Sequence, residues 1–204
     1  MKGLLRKDLY LAWATCRIFL LMAGVFLVVG AVSGEESFFL VYPMIIGMIL
    51  PVSLISYDER SKWNMACDAM PLSRATVVSE KYLLTLLSVL AVFLLTLLAQ
   101  GLRLSGTGDL TPLRQLPALL LPLGLLGPAL LLPVVFWLGV EKGRILYFVL
   151  VGLVCAVGVF FTAGTDVATA TARELPGLVV VPVSVLVFAL SWGLSIALYR
   201  RREL

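Results

Sequence analysis

The feature that most limits this chain is a set of six apolar stretches, near Ile18–Val32, Phe38–Ser56, Tyr82–Leu102, Leu116–Leu138, Ile145–Ala163 and Leu178–Tyr199. Each approaches the roughly 20 mostly apolar residues that a helix needs to cross about 30 Å of hydrocarbon. Lipid offers backbone amides no water, so runs of this length are satisfied as helices that bond internally. Composition agrees: hydrophobic residues make up 61% and charged residues 14% of the chain, whereas a soluble domain carries about 25% charged. So few charges cannot cover such a core in water. The expected fold is an all-α integral membrane protein, with residues 1–204 forming a single transmembrane domain. The first stretch is short and borrows a turn from Trp13–Arg17, with Arg17 snorkelling to the headgroups.

Prolines sit inside three of the stretches: Pro43 and Pro51, then Pro122, Pro128 and Pro133, then Pro182. Membrane helices tolerate them where neighbouring groups re-satisfy the carbonyls that a proline frees. Orientation follows from lysine and arginine. The N-terminal segment, the loop 57–81, the loop 139–144 and the C-terminal tail hold 13 of the 16, and the intervening flanks hold 3. The positive-inside rule therefore puts both termini in the cytoplasm, and an even number of spans returns the chain to its starting side. The charged start is too long for a secretory signal peptide and carries Asp8.

Several chemistries are disfavoured. The chain has no His, and its three cysteines (Cys16, Cys67, Cys155) are scattered, so neither a His-based catalytic pair nor a zinc or disulfide framework is expected. No GxxxxGK[ST] phosphate loop occurs. The middles of the spans carry no formal charge, which argues against an intramembrane enzyme and against an ion-driven transporter. Polar residues inside the spans (Thr85, Ser88, Thr96, Gln100, Ser184, Ser191 and Ser195) are candidates to line a path for cargo. The other reading of each is helix-to-helix hydrogen bonding.

Residues 1–16 are patterned as an amphipathic helix. Met1, Leu4, Leu5, Leu9, Ala12, Trp13 and Cys16 fall on one face, and Lys2, Arg6, Lys7 and Tyr10 on the other. Such a helix is expected to lie in the membrane surface with its basic side towards lipid phosphates, as a topology-setting anchor or as a mechanical part. Lipid, and not nucleic acid, is the expected partner of these charges.

The loop 57–81 stands out. A connector between antiparallel helices needs about 2–8 residues, and this one is far longer, with Trp63 in its middle. Trp63, Ala66, Cys67 and Met70 recur at i, i+3, i+4 and i+7, which predicts a short helix with one apolar stripe. Asp58 and Glu59 would start it at the positive end of its dipole, Pro71 would end it, and Ser73 would cap the helix that follows. The loop is either a docking surface for a cytoplasmic partner or a helix resting on headgroups.

Asp58-Glu59 with Trp63 downstream, then Met70-Pro71-Leu72-Ser73-Arg74 and Glu80-Lys81-Tyr82-Leu83, resembles the first intracellular loop of type 2 ABC exporter permeases. The likeness is closest to the small bacterial six-helix class related to exporters of amphipathic and antimicrobial peptides. The opening Met1-Lys2-Gly3-Leu4-Leu5-Arg6-Lys7-Asp8-Leu9 is similar to the start of these permeases, whose first segment forms an elbow helix. The resemblance implies a permease of the bacterial cytoplasmic membrane, not itself an enzyme, that exports an amphipathic cargo, with peptides favoured. It implies two permease chains, a homodimer favoured over a heterodimer, and two copies of an ATP-binding cassette subunit that hold the ATP and Mg; this chain itself would bind no cofactor and no metal. Residues 58–74 become the coupling helix, with Trp63 and Met70 as anchors and Arg60 and Arg74 as polar contacts. The turn Glu141-Lys142-Gly143-Arg144 becomes a lesser contact. The alternative is an immunity or regulatory subunit that occupies the same ATPase without moving cargo.

Overall fold

The computed structural model describes residues 2–33, 36–63, 73–104, 111–143, 145, 146, 148, 149 and 177–201. Among the described residues the long elements are five helices: α1 (Lys2–Ser33), α2 (Glu36–Arg60), α3 (Arg74–Leu104), α4 (Thr111–Leu138) and α5 (Gly177–Arg201). Four contain segments long and apolar enough to span a membrane, at Val41–Arg60, Arg74–Leu102, Leu116–Leu138 and Val179–Tyr199. A shorter apolar segment, Leu21–Gly30, lies in α1. Most of the fifth expected span, 145–163, lies outside the described residues, as do Met70, Pro71 and Arg144.

An amphipathic helix that ends before a separate first span is not what the chain builds. α1 runs without interruption from Lys2 to Ser33. The reason is local: from Leu4 to Ala23 there is no proline or glycine to break a helix. Its packed face carries Asp8, Ala12 and Ala23, and the two alanines allow close approach of α2.

α2 also extends past its expected end and carries Asp58 and Glu59 in its last turn. There they face the negative end of a helix dipole, not the positive start of a new helix, so other groups must stabilise their charge. α2 stops where Lys62 adopts a left-handed backbone (φ 55°), with Ser61 N–H donating to the Tyr57 carbonyl at 2.9 Å. α3 begins after Ser73, whose Oγ accepts from Thr76 N–H at 3.2 Å.

α4 packs most extensively on α5, and α2, α3 and α4 meet in a core around Met44, Val78, Tyr82, Val89, Leu120 and Leu132. Gly124 allows this approach, because a Cβ there would stand 2.6 Å from Met44 Cε and 2.8 Å from Val89 Cγ1. The outer face of α3 is a rail of exposed leucines (Leu83, Leu87, Leu90, Leu94, Leu98), a surface suited to lipid.

Candidate functional site

The start of α1, the end of α2, the start of α3 and the end of α4 gather at one end of the bundle, around a buried set of charges. Lys81 Nζ donates to Asp58 Oδ2 at 2.6 Å and also to Asp8 Oδ2. Lys7 Nζ donates to Asp58 Oδ1 at 2.7 Å and stands 3.1 Å from Asp8 Oδ1. Two ammoniums and two carboxylates thus close a ring, each lysine shared by both aspartates. The ring ties three helices, and Glu80 joins its edge, 3.7 Å from Lys81 Nζ. Asp8, Asp58, Glu80 and Lys81 are 0%, 5%, 3% and 3% exposed, so the attraction is little weakened by solvent. Burial alone pushes the Asp8 carboxyl up, but Lys81, with smaller help from Glu80 and Lys7, holds it below its ordinary value.

The ring reaches two polar loops. Lys7 Nζ lies 4.3 Å from the centre of the Trp63 ring, a cation–π contact. Glu59 Oε2 accepts from Val140 N–H at 3.0 Å, capping the helical residues that begin at 140 with a carboxylate. A tight turn at Gly139 (φ 84°) presents that N–H. The two segments expected to touch a partner are therefore joined to each other through α2.

Other expected site residues are dispersed. Arg60, Ser73, Glu141 and Lys142 are exposed, while Trp63 and Arg74 are half-buried. In α1, Arg6 and Trp13 point outward, Lys7 turns in to the ring, and Lys2 is described only as backbone. The division of faces read from the sequence is thus altered: Trp13 shares the outer face with Arg6, and Lys7 leaves it.

The hydroxyls within the spans have protein partners. Pro133 has no N–H to give the Ala129 carbonyl, and Ser191 Oγ donates to that carbonyl at 2.6 Å. Pro51 frees the Gly47 carbonyl in the same way; Ser88 Oγ lies 3.1 Å from it and 2.9 Å from the Thr85 carbonyl of its own helix, and its single hydrogen is shared between the two. Tyr82 Oη lies 2.7 Å from Ser191 Oγ and 2.6 Å from Ser195 Oγ. The one hydrogen of Ser191 is committed to Ala129, so Ser191 accepts from Tyr82 and Ser195 donates to Tyr82. A directed relay results, from Ser195 through Tyr82 and Ser191 to the backbone of α4. Thr85 and Thr96 donate back to the carbonyls of Lys81 and Val92 in their own helix, at 2.7 and 2.8 Å.

Sequence reasoning used Asp8 and Lys81 for topology and Glu80-Lys81-Tyr82 for the family likeness, but gave none of the four a place in a site. The available signal was position: a carboxylate in an otherwise basic start, and an acid–base pair immediately before an apolar run. Among the described residues no group of three or more His, Cys, Asp or Glu is arranged to hold a metal ion. The site is a buried junction of charges that joins three helices. No curated protein and no solved structure matches the chain, and a family model described as ABC-2 family transporter protein matches residues 3–200.

Proposed function

Because the chain belongs to the ABC-2 transporter family, we propose that it is the permease subunit of an ATP-driven exporter, with both termini in the cytosol of a bacterial cell. A cassette subunit docks on the segment 57–81, with Trp63 as an anchor and the 139–144 turn as a second contact. ATP and Mg belong to that subunit. Two permease chains, most simply identical, flank the path, and the cargo is amphipathic, with peptides favoured.

The observation that carries this reading is the continuity from Trp63 through Lys7 to the ring. A push on Trp63 reaches α1, α2 and α3 together, and Glu59 passes it to the chain at 140. Packed, hydrogen-bonded contacts of this kind move helices as rigid bodies and do not dissipate the displacement in a loose loop.

The test uses the chain purified with a cassette ATPase. Trp63→Ala is expected to weaken complex formation and to lower the ATPase stimulation that the permease confers by about tenfold, the range for a buried aromatic anchor. Unchanged binding and stimulation would remove the docking claim. ATP-dependent uptake of an amphipathic peptide into inside-out vesicles separates export from a subunit that only occupies the ATPase. Its absence in a complex that still hydrolyses ATP would replace the exporter reading with the immunity or regulatory one.

A further inference from the structure

The outer face of α1 carries a stripe of basic, aromatic and aliphatic residues. Arg6, Tyr10, Trp13, Arg17, Leu21 and Val28 recur at helical spacing on the side opposite Asp8 and Ala12. Tyr10, Trp13, Leu21 and Val28 are 79%, 71%, 68% and 65% exposed. A groove of about 700 Å³ runs along it from Trp13 and Arg17, past Leu21 and Gly24, to Val28. Among the described residues Arg17 makes no ion pair.

We infer that this groove holds one anionic phospholipid, its phosphate on the Arg17 guanidinium beside Trp13 and one acyl chain along Leu21, Gly24 and Val28. Three observations favour that occupant. Among the described residues the lower groove is aliphatic and offers a ligand no hydrogen-bonding side chain. From Arg17 to Val28 the helix rises about 16 Å, close to half of the roughly 30 Å hydrocarbon thickness, so the groove has the length of one leaflet. At its head end the Arg17 guanidinium, without an ion pair among the described residues, stands beside a large amphipathic ring, the pair that marks the headgroup level.

A second copy of the chain fits the same face poorly. Two subunits related by an axis along the membrane normal meet with identical residues at equal height. Pairing through this stripe would set Arg17 against Arg17 and Arg6 against Arg6, with no carboxylate on the stripe to separate them.

The inference rests on the membrane reading and not on transport, so its test needs no ATPase. The full chain is purified in detergent and offered phosphatidylglycerol or phosphatidylcholine of equal chain length, and the bound lipid is counted by native mass spectrometry. The wild-type chain is expected to keep one phosphatidylglycerol about fivefold more tightly than phosphatidylcholine, and Arg17→Gln to abolish that preference while leaving the elution profile and melting temperature in place. Gly24→Trp fills the groove without changing charge, at a position where a Cβ meets no described atom within 4 Å; with elution profile and melting temperature unchanged, retention of both lipids should fall. Equal retention of the two lipids by the wild type, a preference surviving in Arg17→Gln, or retention unchanged in Gly24→Trp would each overturn the assignment.

Discussion

Replacing Lys81 with Met tests whether the ring is an integrated unit. The substitution keeps an unbranched apolar stem and removes the ammonium that bonds both Asp8 and Asp58. Asp8, at 0% exposure, would keep Glu80 and, as its one cation, Lys7 at the longer 3.1 Å. Removing one partner from a buried ion pair costs about 3–5 kcal/mol, mostly the penalty of the charge left behind. For a chain of this size that lowers the melting temperature by roughly 6–20 °C. Lys7→Met should cost much less, about 1–2 kcal/mol, because the Lys7 side chain is 29% exposed and Lys81 still bonds both carboxylates. Adding Asp8→Asn to Lys81→Met removes the stranded charge and should restore most of the loss. The pH profile gives an independent check. Asp8 is held below its ordinary pKa, so its contribution is complete above the usual carboxylate range and is lost as pH falls through the depressed value; Lys81→Met should erase that acid shoulder. Thermal unfolding of the four proteins in one detergent supplies the data. Equal losses for Lys81→Met and Lys7→Met, or no recovery on adding Asp8→Asn, would refute the ring as the source of stability.

Two further substitutions probe the span interiors. Ser191→Ala orphans the Ala129 carbonyl only while residue 133 is proline, so in a Pro133→Ala background it should cost about 1 kcal/mol less; the lost Tyr82 contact is common to both backgrounds and cancels in a double-mutant cycle, and zero coupling by thermal unfolding would disprove the assignment. Gly124→Ala drives a Cβ to within 2.8 Å of Val89 Cγ1, whose branched side chain cannot swing aside, and is expected to lower stability by about 1–3 kcal/mol in the same assay.

Helix positions were legible because hydrophobic run length is a local property, and the cap at Ser73 was legible for the same reason. What escaped depended on pairing across the fold. Asp58 and Glu59 resembled the start of a helix because acids suit that end. They close α2 instead, since Lys7 and Lys81, distant in sequence, supply Asp58 with more favourable charge than a dipole can, and Glu59 accepts from Val140 N–H. Lys7 was assigned to the lipid-facing side because amphipathic patterning shows how side chains segregate around a helix but not which neighbour covers each sector. Ser88 and Ser191 were named as polar residues in spans, and Pro51 and Pro133 as breaks. Only the packing shows that each serine stands within hydrogen-bond reach of a carbonyl freed by one of those prolines.

The ring and the hydroxyl relay meet on α3 at consecutive residues. Lys81 faces α1 and α2 through Asp8 and Asp58, and Tyr82 faces α5 and α4 through Ser195, Ser191 and the Ala129 carbonyl. Adjacent positions on a helix point about 100° apart, so a small rotation of α3 driven at Lys81 must carry Tyr82 against α5, where its ring also stacks on Trp192 at 5.6 Å. Under the proposed function, Tyr82 is the residue through which displacement of the loop reaches the second half of the bundle. Tyr82→Phe keeps the ring, its stacking and the Lys81 contacts but removes the hydroxyl at the centre of the relay. It should leave cassette binding and ATPase stimulation intact while cargo moved per ATP falls by about tenfold, the effect of roughly 1.4 kcal/mol on a coupling free energy. Transport and ATPase falling together would place Tyr82 in general stability. Transport unchanged would show that α5 is driven through contacts other than this one.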